Sequence, residues 1–266
     1  MSTLDSITLA AERFEKIRDI LKDRRAIRVD ELSAELGVSP ATIRRDLIEL
    51  DQQGHIRKVH GGAVSLEGRL DEPRFDDKAE ISSGEKRAIA ERALQYVQTN
   101  DSIFLDGGST VLALAHLLAD HAGITVVTNS LRVAGALSGA GPRVLLVGGE
   151  LRRLSQTFVG PLTQPLIEQL HFDKAFMGTM GLTLDEGLTT TDPAEAFTKQ
   201  LVMQHAEQVF MLADSSKFDK VTFANAGRTE DIDTLITDEG IDRVIVREMK
   251  QKSIDVVITK PKKKAD

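Results

Sequence analysis

The sequence contains no cysteine and no tryptophan, and aromatic residues make up only 4% of its 266 positions. Without cysteine there is no disulfide framework, no thiolate nucleophile and no cysteine zinc site. The six histidines are scattered without ligand spacing, so no metal site is expected. No uninterrupted apolar run approaches membrane-spanning length, and the opening MSTLDSITLAAERFEK carries acids where a secretory leader would carry basic residues. These absences predict a soluble, cytoplasmic chain without a resident cofactor. Its length suits two modest domains, each able to bury a core.

Charge separates the two parts. Of the 34 Lys/Arg and 41 Asp/Glu residues, eleven of each fall within residues 1–65, so the whole net charge of −7 lies beyond them. A neutral first quarter is ordinary by itself, and only local clustering points to nucleic acid.

That clustering is present. Phe14, Ile17, Ile20 and Leu21 recur at helical spacing and predict an amphipathic helix of about three turns ending near Arg24. Val29, Leu32 and Leu36 predict a second, short helix, with Asp30 as its cap and Gly37 as its stop. In GVSPATIRRDLIELDQQG, Ser39 can cap a third helix, Pro40 sits in its first turn, and Ile43, Leu47 and Leu50 form its core stripe. Gly54 ends it. Two helices joined by a Gly-Val turn make a helix-turn-helix. The third helix leaves Ser39, Ala41, Thr42, Arg44, Arg45 and Gln52 as candidates for reading a DNA groove, provided Asp46, Glu49 and Asp51 face away. HIRKVHGGAV, residues 55–64, predicts a short β-ribbon, a basic wing whose Arg57, Lys58 and His60 would neutralise phosphates. Taken alone, the pattern also fits a solvated helix face or a protein-binding module.

The stretch ELSAELGVSPATIRRDLIELDQQGHIRKVHGGA resembles the winged helix of the DeoR family of bacterial sugar-metabolism repressors, from the TIRRDL helix to the HGGA wing end. The resemblance implies a repressor that binds double-stranded operator DNA. Two-fold symmetric half-sites then call for at least a dimer, and the family implies possible tetramers.

Residues 66–83 are rich in charge, Gly and Ser and predict a linker. From residue 84 to 260 apolar strands alternate with helices: helix 84–98, strand SIFLD, helix 109–120, strand ITVVT, helix 130–138, strand RVLLVGG, helix 161–170, strand KAFMG, helix 193–205 and strand QVFMLAD. Strands DTLIT and DVVIT then enclose a last helix near 239–252, and residues 261–266 form a basic tail. Apolar strands interleaved with helices predict an α/β fold with a mostly parallel sheet covered on both faces.

In such sheets ligands bind beyond the carboxyl ends of the strands, where this chain places polar loops. Asp106, Gly107, Gly108, Ser109 and Thr110 follow one strand, Thr128, Asn129 and Ser130 the next, and Glu150 and Arg152 a third. A glycine turn entering a helix suits an anion, and Lys217 supplies the cation that the turn itself lacks. Hydroxyls and Asn129 would donate to the ligand, while Asp106 or Glu150 would accept from sugar hydroxyls. Each loop is also an ordinary helix start, with Ser109, Ser130 and Asp192 as caps.

The order DGGST, TNS, GGELR, DSSKF resembles the sensor domain of the same family, similar in fold to ribose-phosphate isomerases. It implies a phosphorylated sugar as effector. GLTTTDPAEAFTKQ resembles the family's loop before a long helix and adds Thr191 and Glu195 as contacts. The alternative is a phosphosugar isomerase or deaminase with Glu195 or Asp106 as base and Lys217 holding the phosphate. A sugar kinase is disfavoured because the chain has no nucleotide loop.

Overall fold

The computed structural model describes residues 3–24, 26–52, 56–59, 62–65, 75 and 81–261. The chain divides into two compact units, Met1–Asp71 and Glu72–Asp266.

The small unit contains α1 (Thr3–Arg24), β1 (Ala26–Arg28), α2 (Val29–Leu36), α3 (Pro40–Gln52), β2 (Ile56–Val59) and β3 (Gly62–Ser65). Its core is the stripe read from the sequence: Ile17, Leu21, Leu32, Ile43, Leu47, Leu50 and Ile56 are each at most 1% exposed. Emptying one such site, as in Leu47→Ala, typically costs about 2–5 kcal/mol through lost transfer energy and a residual cavity. Helix α3 is capped as expected, with the Thr42 amide donating to Ser39 Oγ at 3.2 Å. Helix α2 is not. It begins at Val29 behind Arg28, which makes no side-chain cap bond, so Asp30 lies inside the first turn and acts through the helix dipole instead. Gly37 closes α2 at φ +66°, a left-handed backbone that glycine adopts without a Cβ clash. The ribbon pairs β2 with β3 antiparallel, and β1 joins the other side of β3 as a third strand that the sequence did not announce.

The large unit runs α4 (Ser83–Leu94), β4 (Ser102–Leu105), α5 (Ser109–Leu118), β5 (Thr125–Thr128), α6 (Leu131–Leu137), β6 (Arg143–Leu146), β7 (Glu150–Arg152), β8 (Thr157–Val159) and α7 (Gln164–Ile167). It continues with β9 (Phe172–Met177), β10 (Gly181–Thr183), β11 (Gly187–Thr190), α8 (Pro193–Gln204), β12 (Ala206–Leu212), β13 (Ala224–Gly227), β14 (Thr234–Asp238), α9 (Arg243–Gln251) and β15 (Asp255–Thr259). The main sheet has seven strands in the order β15-β14-β12-β9-β4-β5-β6, and every neighbouring pair is parallel. Alternate residues serve opposite faces. Ile103 and Leu105 pack with α4, α5 and α6, whereas Phe104 between them packs with α7, α8 and α9. This double covering is why the strands read as continuously apolar.

Two helices are shorter than their periodicity suggests: the one expected over 84–98 ends at Leu94, and 161–170 is a 3₁₀ turn, Pro161–Thr163, followed by the single turn of α7. The β7–β8 hairpin and the small antiparallel sheet β10-β11-β13 come from segments that carry no long apolar run.

The strand order locates the ligand crevice. From β4 the chain winds outward through β5 to β6, then returns to the other side of β4 with β9 and winds away through β12, β14 and β15. The reversal therefore falls between β4 and β9, and a crevice opens beyond the carboxyl ends of strands on either side of such a reversal.

Candidate functional site

A cavity lies at this reversal, with about 50 Å³ of interior room. The loop after β4 contributes Gly107, Gly108, Ser109 and Thr110, the loop after β9 contributes Gly178, Thr179 and Met180, and the end of β12 with its following turn contributes Leu212, Ala213 and Lys217. Ser155, Glu195, Lys199 and Phe75 complete it. The hydrogen-bond ladder of α5 begins with the Leu112 amide on the Gly108 carbonyl, so the amides of Ser109, Thr110 and Val111 precede it at the positive end of the helix. Gly107 is required by packing: a Cβ there would lie 2.0 Å from Thr157 Cγ2. Lys217 is half-buried and has no ion-pair partner among the described residues. Its turn is set by Asp214, which accepts from the Ser216 amide at 3.1 Å and from the Ser216 hydroxyl.

Beneath the cavity runs a buried charge network. Asp106 is 2% exposed, accepts the Gly178 amide at 2.9 Å and is paired with Lys199 Nζ. Lys199 also donates to the Gly178 carbonyl at 3.0 Å and stands 3.7 Å from Glu195, one helical turn away on α8. Glu195 is 3.4 Å from Arg152, which also reaches Asp192 at 3.3 Å and Thr191 Oγ1 at 3.1 Å. Asp192 in turn caps α8 through the Ala194 amide at 2.8 Å.

Of the residues singled out in the sequence, the structure brings Gly107, Gly108, Ser109, Thr110, Lys217 and Glu195 to one cavity. Asp106 and Arg152 stand behind it, each tied to a lining residue. Four others lie off it. Thr128 donates to the Leu105 carbonyl at 2.6 Å, Asn129 Nδ2 donates to the Phe158 carbonyl at 2.9 Å, Ser130 caps α6 by accepting the Val133 amide at 3.3 Å, and Glu150 is exposed at the start of β7. The first three hold strand ends and helix starts in place. Ser109, expected as a cap, is the first residue of α5, and Gly108 occupies the cap position. Sequence reasoning misses Lys199: Glu195 and Lys199 read as an ordinary i,i+4 helix pair, and only burial, 9% and 7% exposed, sets them apart.

In the small unit, Ala41, Arg44, Arg45 and Ile48 are exposed on the side of α3 opposite its buried stripe. Ser39 is exposed, and its Oγ lies 2.9 Å from Thr42 Oγ1. The acids behave differently from one another. Asp46 is buried and takes two hydrogen bonds from Arg13, at 2.8 and 3.0 Å, which push the Arg13 guanidinium above its ordinary pKa against the opposing effect of burial. Asp51 accepts the Lys58 amide at 3.0 Å, fixing the wing strand to the end of α3. Glu49 remains on the exposed face, and the Lys58 side chain is exposed on β2. His60 and the side chains of Gln52 and Arg57 lie outside the described residues.

Two family models match the chain: the DeoR-like helix-turn-helix domain over residues 13–69 and the DeoR C-terminal sensor domain over residues 81–239. The chain belongs to the DeoR family of transcriptional regulators. It is 37% identical over 249 residues to the HTH-type transcriptional regulator GlpR of Haloferax volcanii, covering 94% of this chain and 98% of that one. It is 35% identical over 232 residues to the lactose phosphotransferase system repressor of Staphylococcus epidermidis, covering 85% and 91%. Among solved structures, ribose 5-phosphate isomerase A from Methanocaldococcus jannaschii aligns with a TM-score of 0.38 and 16% identity, over 50% of this chain and 53% of that one. eIF2B delta from Chaetomium thermophilum gives 0.44 and 18%, over 59% and 56%. Neither structural likeness is close enough to bear on function. No helix among the described residues is long and apolar enough to cross a membrane.

Proposed function

We propose that this regulator represses a sugar-metabolism operon and that a phosphorylated sugar bound in the large unit controls its hold on operator DNA. The observation that carries the reading is the convergence, on one cavity at the sheet reversal, of the α5 amino terminus and Lys217, a cation without an ion pair among the described residues. Helix amides and an ammonium group together favour a phosphate dianion, while Glu195 and the hydroxyls of Ser109 and Thr110 suit the sugar. In the small unit, Arg44 and Arg45 would read base edges together with Ala41 and Thr42, and Lys58, with Arg57 and His60, would grip phosphates. The repressor works in the cytoplasm as at least a dimer, matching two operator half-sites. A ligand that binds the DNA-incompetent state more tightly then releases the operator.

The experiment is a thermal-shift panel of sugar phosphates on the purified chain, because a ligand specific to the folded state raises its melting temperature. One compound should give a clear rise and should not be consumed. The enzyme reading draws on the same cavity, with Glu195 or Asp106 as base and Lys217 holding the phosphate. Steady isomerisation or deamination of the stabilising compound, abolished in Glu195→Gln, would replace repression with catalysis as this unit's function.

A further inference from the structure

Among the described residues, Phe75 is the one cavity residue that comes from the segment between the helix-turn-helix and the sensor fold, six positions before Ile81. It is only 4% exposed and belongs to the large unit. Its ring lies 5.5 Å from the Arg132 guanidinium, in the range of a cation–π contact, and Arg132 is itself held by Gln156 Oε1 at 2.6 Å. The other lining residues sit on strand ends, helices and turns of the sensor fold.

The room in the cavity gives this contact a consequence. With the ring in place the interior room is only about 50 Å³, so Phe75 fills space beside Gly108, Ser109 and Lys217 that a bound phosphorylated sugar would use. Glu195 and Lys199 are fixed by their ion pairs, and the Gly107 loop by its close approach to Thr157. We propose that Phe75 occupies part of the effector site and that effector occupancy drives its ring out, so that the ligand and the Phe75 ring compete for one cavity. This rests on the sugar-phosphate reading of that cavity. Only ten positions separate Phe75 from Ser65, the last residue of the wing strand β3, so a change at Phe75 acts on the chain that leads directly to the DNA-reading unit.

The absence of tryptophan supplies the test. In full-length Phe75→Trp the single indole should emit at short wavelength and resist acrylamide quenching. Titration with ribose 5-phosphate, fructose 1-phosphate, fructose 6-phosphate, glucosamine 6-phosphate, glycerol 3-phosphate and inorganic phosphate should shift the emission to longer wavelength and open it to quencher, with the compound that stabilises the parent. In Phe75→Ala that compound should bind about tenfold more tightly, because no ring has to be displaced. Weaker binding by Phe75→Ala would make the ring a ligand contact and overturn the proposal. If the parent is stabilised by one compound while the indole emission of Phe75→Trp stays unchanged, the cavity reading stands and the role of Phe75 falls. If no compound alters either the parent or the indole, both fall.

Discussion

Two buried lysine–aspartate pairs mark the two ends of strand β4. Asp101, just before it, is bonded to Lys174 of β9 at 2.6 Å and also accepts the Gln98 amide at 2.7 Å. Asp106, just after it, is paired with Lys199 of α8 and also accepts the Gly178 amide. The two aspartates are 8% and 2% exposed, and the lysines 8% and 7%. In chemistry the two pairs are nearly the same, yet only the second borders the cavity. The difference follows from strand direction: at the carboxyl ends of parallel strands the loops diverge around a reversal of strand order, and at the amino ends they do not. A buried ion pair is therefore weak evidence of a site, and its position along the sheet decides its role.

The comparison breaks most directly with single charge deletions. Lys174→Ala leaves Asp101 buried without its cation and should cost about 3–5 kcal/mol in urea unfolding, while any melting-temperature response to the sugar phosphate survives. Lys199→Ala should cost a similar amount and also lose that response. Replacing both members by apolar groups, Asp101→Leu with Lys174→Met or Asp106→Leu with Lys199→Met, should recover much of the stability, since an apolar pair carries no desolvation penalty. The first double variant should still sense, and the second should fold without sensing. Sensing lost from the Asp101/Lys174 variants would erase the distinction between the two ends.

The small unit offers the mirror image. Arg45→Ala should cost about 1–3 kcal/mol at the operator and narrow the gap to random DNA, with the thermal response to ligand unchanged. Lys58→Ala should weaken all sequences together and flatten the salt dependence of binding by about one unit of slope. An Arg45→Ala protein that still selects its operator normally would show that α3 does not read the groove.

The smallest effect sharpens the amino end of the sheet. Asp173 accepts the Ser102 amide at 2.6 Å and the Ser102 hydroxyl at 2.9 Å, and these bonds hold its carboxyl below the ordinary pKa. A lowered folded pKa contributes stability above the unfolded value, about 3.9, and that contribution fades as the pH falls through the folded pKa. Asp173→Asn should therefore flatten the acid limb of the stability curve below about pH 4 and leave neutral-pH sensing untouched.

All seven strands of the large sheet were legible because each is an apolar run, and the recognition helix because its stripe of Ile43, Leu47 and Leu50 has one period. The Gly107–Thr110 loop and Lys217 were also legible, since the rule of strand carboxyl ends needs only strand positions. Lys199 was hidden because its partner Asp106 is 93 residues away and its local pattern is that of a solvated helix pair. Thr128, Asn129 and Ser130 lie off the cavity for the converse reason. Their hydroxyl and amide groups resemble ligand donors, but they satisfy backbone groups at the strand end, a need the sequence does not display. Phe75 was invisible inside a stretch whose charge and glycine content read as linker.

The central claim is that an anion held by the α5 amino terminus and Lys217 releases the operator. Its most direct measurement is an operator-binding titration of the parent and Lys217→Ala, with and without the sugar phosphate that stabilises the parent. Loss of one charge-assisted hydrogen bond should cost the ligand about 1.5–3 kcal/mol, more than a factor of about ten in affinity, while operator affinity without ligand stays the same. The variant should then remain on the operator at ligand concentrations that release the parent. Release of Lys217→Ala at the parent's own concentration would contradict the account.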